Sequence, residues 1–175
     1  DRGQTLDEFG IGGVGRTFRG IALTAALVIL LGALVLYSFG FDDIPDRGER
    51  LWAAVFHSIS AYNNAGFGLW SDSLQRYHNN VVVNGVVMVL IVMGGLGWRV
   101  TSDLANRGFR YRGRGRRRLS LHTRLVLRTT ALLVVFGAVG LALTEWLNRG
   151  EVFIGMDWPE RWMTALFESV TARTA

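Results

Sequence analysis

The sequence contains no cysteine and no lysine. The first absence rules out a disulfide framework and leaves the redox compartment unmarked. The second means that arginine alone outweighs the acidic residues to give the formal charge of +5. No paired carboxylates, metal-ligand cluster or nucleophile–base set stands out, so nothing points to an enzyme. No cleavable signal pattern opens the chain. The early glycines, Gly10, Gly12, Gly13 and Gly15, follow no strand and precede no Walker lysine. Residues 1–18 therefore read as a loop rather than a phosphate cradle. The chain begins at Asp1 instead of Met and stops inside what reads as a motif, so a fragment of a longer protein is expected.

What the sequence does have is apolar and segregated. Half of its residues are hydrophobic while 19% are charged, and the two coexist because the charges cluster. Residues 20–41 carry no charge and predict a transmembrane helix, with Tyr37 and Phe39 as interfacial aromatics. An acidic loop follows, with Asp42, Asp43, Asp46 and Glu49 against Arg47 and Arg50. Residues 81–98 predict a second span. Its Asn84 is expected to face protein or water, and Gly94, Gly95 and Gly97 serve close helix packing or a hinge. Residues 125–146 predict a third.

Between the second and third spans, residues 106–120 hold Arg107, Arg110, Arg112, Arg114, Arg116, Arg117 and Arg118. In isolation this is an Arg/Gly nucleic-acid segment. Between spans it is a positive-inside loop. The alternation of basic, acidic and basic flanks favours the second reading. It places the amino terminus and the Arg loop in the cytoplasm and Asp42–Arg50 outside.

The central stretch is Phe56-His-Ser-Ile-Ser-Ala-Tyr-Asn-Asn-Ala-Gly-Phe-Gly68. Its apolar lead-in, residues 51–62, would make a helix of about 18 Å, short of a hydrocarbon core of about 30 Å. A short helix followed by an uncharged Asn/Gly run is either a re-entrant pore loop or an apolar outer loop. Irregular backbone at membrane depth is tolerated only where protein buries it or a water path adjoins it.

This stretch also repeats. Residues Glu49 to Ala61 align with Glu160 to Ala172, with identity at Glu49/Glu160, Arg50/Arg161, Ala54/Ala165, Phe56/Phe167, Ser58/Ser169 and Ala61/Ala172. Each copy follows a predicted span and a short outer loop, so the unit is span, pore helix, special loop, span. Residues 19–105 hold one complete unit, with pore helix 51–62 and filter 63–68. Residues 121–175 hold most of the next, with pore helix 158–170 and filter start 171–175. Asp157, Pro159 and Glu160 mark the start of that helix.

At these residues the chain resembles the Trk/Ktr/HKT family of potassium transporters. Phe56 to Phe67 resembles the family's second pore loop, and Phe167-Glu-Ser-Val-Thr-Ala-Arg-Thr-Ala175 resembles its third. Gly94-Gly-Leu-Gly-Trp98 followed by Asp103-Leu104 is similar as well. The chain departs from the family pattern at Arg99, where an apolar residue or proline is usual, and at Glu168, where Gln is usual. The resemblance implies an all-α membrane protein of repeated span–pore helix–filter loop–span units, potassium-channel-like and here truncated. The implied protein is a multi-pass subunit of a bacterial cell membrane, a homodimer with a cytosolic nucleotide-binding regulatory subunit, contacting lipid and no nucleic acid.

Asn64-Ala-Gly-Phe-Gly68 lies over the Thr-Val-Gly-Tyr-Gly of tetrameric potassium channels. A filter of that kind replaces an ion's water shell with backbone carbonyls. The resemblance thus assigns potassium to the carbonyls of Asn64, Ala65 and Gly66, and to those of Thr174 and Ala175 in the next unit. Asn63, Phe67, Gly68 and Arg173 would support the filters. Arg173 is expected to point backwards and brace the loop, against an acidic partner, or to be exposed. His57 is expected to pack rather than bind ions. Gly66→Ser should alter ion preference, with Gly68 and Gly94 as positions for comparison. Sodium or mixed sodium/potassium transport is the alternative within the class. A membrane-anchored anion or nucleic-acid binder acting through the Arg loop is the alternative outside it.

Overall fold

The structure is a computed structural model that describes residues 11–109, 119–148 and 155–173. Six α-helices make up the architecture, with no strand among the described residues. Helix α1 (Ile11–Val35) passes directly into a π-helical turn, Leu36–Gly40. The helix begins well before the expected span, so much of the Gly-rich stretch read as a loop is helical. Glycine costs a helix only about 1 kcal/mol per residue relative to alanine, and here the stretch continues an apolar helix. Leu23, Leu27, Leu30 and Leu34 remain exposed along α1. A ridge of this kind suits lipid and would be a large apolar patch in water.

Helix α2 (Arg47–Tyr62) starts four residues earlier than expected because Asp46 caps it, accepting from the Glu49 N–H at 2.7 Å. Its 16 residues span about 24 Å, less than a hydrocarbon core. The helix buries Ala53, Ala54, Ser58 and Ala61, and these small side chains let α1 and helix α3 (Val81–Leu96) approach. Around them Leu36, Phe41, Val83, Val87, Leu90 and Ile91 form the core. Asn80 caps α3 through the Val82 and Val83 N–H groups. The Asn84 amide nitrogen, buried, lies 2.9 to 3.0 Å from the Tyr77, His78 and Asn80 carbonyls. It ties the incoming loop to the helix and does not meet lipid.

The structure differs from the expected span 81–98 at its carboxy-terminal end. Helix α3 stops at Leu96, Gly97 takes φ +79°, and helix α4 (Trp98–Phe109) leaves at 110°. Two helical stretches, Thr17–Gly40 and Leu121–Leu147, are long and apolar enough to cross a membrane. Helices α3 and α4 make a third crossing only as a broken pair. The cause is the sign of φ at Gly97, which side chains with a Cβ rarely adopt. The indole of Trp98 then lies over Gly20 of α1. Arg107 belongs to α4, and residues 110–118 of the Arg loop lie outside the described residues.

Helix α5 (Leu121–Asn148) leaves Leu132 and Phe136 exposed. Its start is tied to α4, since Thr123 donates to the Asp103 carboxylate at 2.7 Å. Helix α6 (Trp158–Ala172) begins at the N-cap Asp157, whose N–H donates to Glu160 at 3.2 Å. It packs on α5 and on α3, and its Val170 joins the core built by the first three helices. Thr171 and Ala172 are still helical, although the expected loop began at 171.

Candidate functional site

The site grows from the carboxy-terminal end of α2. The Asn64 N–H donates to the Ala61 carbonyl at 3.1 Å, and the Ala65 N–H donates to the Ser60 carbonyl at 2.9 Å. With Asn63 as the C-cap and Asn64 at φ +52°, this is a Schellman termination. Asparagine is the residue after glycine that enters this left-handed region most readily. Asn63 also donates from its side chain to the Ile59 carbonyl at 2.8 Å. Beyond the cap, Gly66 takes φ +71°. Positive φ therefore occurs at Asn64 and Gly66 with Ala65 between them. The loop then returns to the helix at Phe67: its N–H donates to the Ser60 hydroxyl at 3.0 Å and the hydroxyl donates to the Phe67 carbonyl at 2.8 Å.

The carbonyls of Asn64, Ala65 and Gly66 accept no hydrogen bond from any described residue; Asn64 is half-buried, and Ala65 and Gly66 are exposed. The loop runs along the end of α2, where the helix dipole places partial negative charge. It borders a cavity of 810 Å³ lined by Asn64, Gly66 and Phe67, by His57, Asn84 and Ile91, and across the gap by Thr164, Phe167, Glu168 and Thr171 of α6. Among the described residues that line this cavity there is no arginine, and the one carboxylate is Glu168. Donors of this sort, oxygens without a formal cluster of acidic side chains, suit a hard monovalent cation. Among the described residues no group of three His, Cys, Asp or Glu side chains gathers to hold a metal.

Not every expected residue meets at the cavity. Ala65 and Asn63 border a separate apolar groove with Trp52, Phe56 and Ile59. Gly68 packs on Ser73, where a Cβ would lie 3.2 Å from the Ser73 Cα. Thr174 and Ala175 lie outside the described residues. Arg173 turns back to α5 and donates to the Thr130 hydroxyl at 2.7 Å. Its partner is a hydroxyl rather than the expected acid. His57 is buried, lies 2.8 Å from the Ala53 carbonyl through Nδ1, and stacks on Trp70 with ring centroids 4.8 Å apart. Phe41 and Tyr77 complete that aromatic group. Beside it the Tyr77 hydroxyl reaches the Asp43 carboxylate at 3.0 Å, and burial together with this carboxylate pushes the Tyr77 pKa above its ordinary value.

Two residues carry more of the site than the sequence reading gave them. Ser60 uses both its carbonyl and its hydroxyl to hold the loop. A serine in the last turn before an Asn-Asn pair was the available signal. Gly94 lies against the end of α2, where a Cβ would overlap the Tyr62 carbonyl. It is a contact point of the site and cannot serve as a neutral comparison.

The aligned halves make the same contacts. Ser58 donates to the Ile29 carbonyl at 2.7 Å, and Ser169 donates to the Val134 carbonyl at 2.8 Å. Each hydroxyl faces a glycine of the preceding span, Gly32 and Gly137. Arg50 donates to the Ile44 carbonyl at 2.8 Å, and Arg161 to the Met156 carbonyl at 2.9 Å.

Residues 14–175 match the family described as TrkH, a cation transport protein. The chain belongs to the TrkH cation transport family. Its curated relatives include the Ktr system potassium uptake protein B of Bacillus subtilis (strain 168), 33% identical over 98% of this chain and 37% of that protein. The protein of the same name from Vibrio alginolyticus is 36% identical over 87% of the chain and 32% of its own length. The Potassium/sodium uptake protein NtpJ of Enterococcus hirae is 35% identical over 86% of the chain and 32% of its own. The chain spans about a third of the length of these relatives. As a TrkH family chain with apolar helices of crossing length, it is an all-α membrane protein.

Proposed function

We propose that this chain is part of the pore-forming subunit of a potassium uptake system of the cell membrane. The observation that carries the proposal is the run of carbonyls after α2, Asn64, Ala65 and Gly66, unpaired at the negative end of the helix, with Asn64 and Gly66 lining a cavity that has no arginine among its described lining residues. Potassium is the cargo: these carbonyls would replace part of its water shell, and Thr174 and Ala175 would do the same in the following loop. The paired contacts of Ser58 and Ser169 support reading the two halves as copies of one unit. The pore would be completed by further units of the intact protein. A transport role, not an enzymatic one, agrees with the named relatives. A homodimer with a nucleotide-binding cytosolic partner remains what the family resemblance implies.

Mixed sodium/potassium transport is a second reading, favoured by the name of the Enterococcus hirae relative. Uptake of rubidium and of sodium by the intact protein, in cells lacking their own potassium uptake systems, separates the two. The proposal expects rubidium uptake that potassium suppresses and sodium barely affects. Equal competition by the two ions supports the second reading, and no cation uptake at normal membrane level contradicts both.

A further inference from the structure

We propose that Ser60 is a positioning residue for ion selection, holding the filter carbonyls from behind; this rests on the filter reading above. A trans peptide is planar, so a carbonyl and the N–H of the next residue point in opposite directions. Fixing one therefore aims the other. The Ser60 carbonyl accepts from the Ala65 N–H at 2.9 Å, which turns the Asn64 carbonyl away from Ser60. The Ser60 hydroxyl accepts from the Phe67 N–H at 3.0 Å, which turns the Gly66 carbonyl away from Ser60. The same hydroxyl donates to the Phe67 carbonyl at 2.8 Å, so that carbonyl points back at the helix and leaves the run. One buried side chain thus aims the carbonyl of Gly66 and ends the line at Phe67. Thr171, the residue aligned with Ser60, also carries a hydroxyl, which donates to the Glu168 carbonyl of its own helix.

Removing the hydroxyl frees the Gly66–Phe67 peptide plane to rotate about ψ of Gly66 and φ of Phe67, the first of these on glycine, the least restrained residue. Carbonyls that move independently adapt to the smaller sodium ion, so selectivity falls while the cap formed by the Ser60 backbone persists. The test is the ratio of rubidium to sodium uptake by the intact protein, at matched membrane levels, for Ser60→Ala, Ser60→Thr and Gly66→Ser. Ser60→Ala is expected to lower the ratio by about threefold to tenfold, the effect of losing one hydrogen-bonded clamp. Ser60→Thr, which keeps the hydroxyl, is expected to stay near wild type. If Ser60→Ala fails to reach the membrane, Ser60→Cys keeps the volume with a weak donor and should fall between. An unchanged ratio in Ser60→Ala or Ser60→Cys, alongside a changed one in Gly66→Ser, overturns the role of Ser60 and leaves the filter in place. An equal loss in Ser60→Thr at normal levels also overturns it. If Gly66→Ser changes nothing, the filter reading falls and the role of Ser60 with it.

Discussion

Asn64 and Gly66 both sit at positive φ, but they ask different things of a replacement. Asn64 is the left-handed residue of a helix cap, where a β-branched side chain is strained by about 1–2 kcal/mol. Asn64→Val should therefore lower the thermal unfolding temperature of the purified intact protein, while Asn64→Gly should leave it unchanged or raise it slightly. Equal loss in both would mean that the Asn64 amide, not the backbone, matters there. Much of this was legible in the sequence. An Asn-Asn pair after an apolar helix signals its end, and glycine one residue after Ala65 signals a second positive φ. The role of Ser60 is only faintly legible: a serine in the last turn before an Asn-Asn pair is a weak signal, ordinary until its hydroxyl is seen to meet both polar groups of Phe67. Gly94 is legible as a packing glycine, but a sequence does not say which backbone stands opposite, and the Tyr62 carbonyl there makes it unfit as a neutral position.

Each short helix is fastened to the span before it by a hydroxyl set against a glycine. At the second fastening a Cβ on Gly137 would overlap the Ser169 hydroxyl and lie 3.2 Å from the Ser169 Cβ. Overpacking of this kind costs about 1–3 kcal/mol. Gly137→Ala should destabilise the protein, and Ser169→Ala in the same chain should recover part of the loss, because the colliding oxygen is gone. Additive effects in that double-mutant cycle, measured by thermal unfolding in detergent, would show that the two residues do not touch. Gly140→Ala on the same helix has nothing within 4 Å and should be neutral or slightly stabilising, by up to about 1 kcal/mol of helix propensity. The alignment of residues 49–61 with 160–172 predicted matched helices, and the helix capping at Asp46 and Asp157 follows the same offset. The break at Gly97 was only half legible. Three glycines in Gly94-Gly-Leu-Gly97 suggested packing or a hinge, and the structure uses the first for packing and the last for the 110° turn. Composition alone does not assign such roles, since one depends on the backbone that stands opposite Gly94 and the other on the sign of φ at Gly97.

At the scale of the whole chain, the segregation of charge sets the expected topology. The positive-inside rule predicts the amino terminus and the Arg loop inside and the Asp42–Arg50 loop outside. A chain without cysteine lends itself to labelling by single substitutions. A membrane-impermeant thiol reagent applied to intact cells should modify Asp46→Cys and leave Arg114→Cys untouched; the reverse pattern would invert the topology. The central claim is narrower, that the loop after α2 selects the ion through its backbone. Gly66 is where that claim is most exposed, because a side chain at φ +71° strains the peptide whose carbonyl lies in the run. Gly85→Ala, with nothing within 4 Å, is the fitting comparison in α3. The measurement is the ratio of rubidium to sodium uptake by the intact protein carrying Gly66→Ser, in cells lacking their own potassium systems. Strain of about 1–3 kcal/mol falling unequally on the two ions should lower that ratio about tenfold, with Gly85→Ala unchanged. A wild-type ratio in Gly66→Ser at normal membrane level would place Gly66 outside the filter and contradict the account.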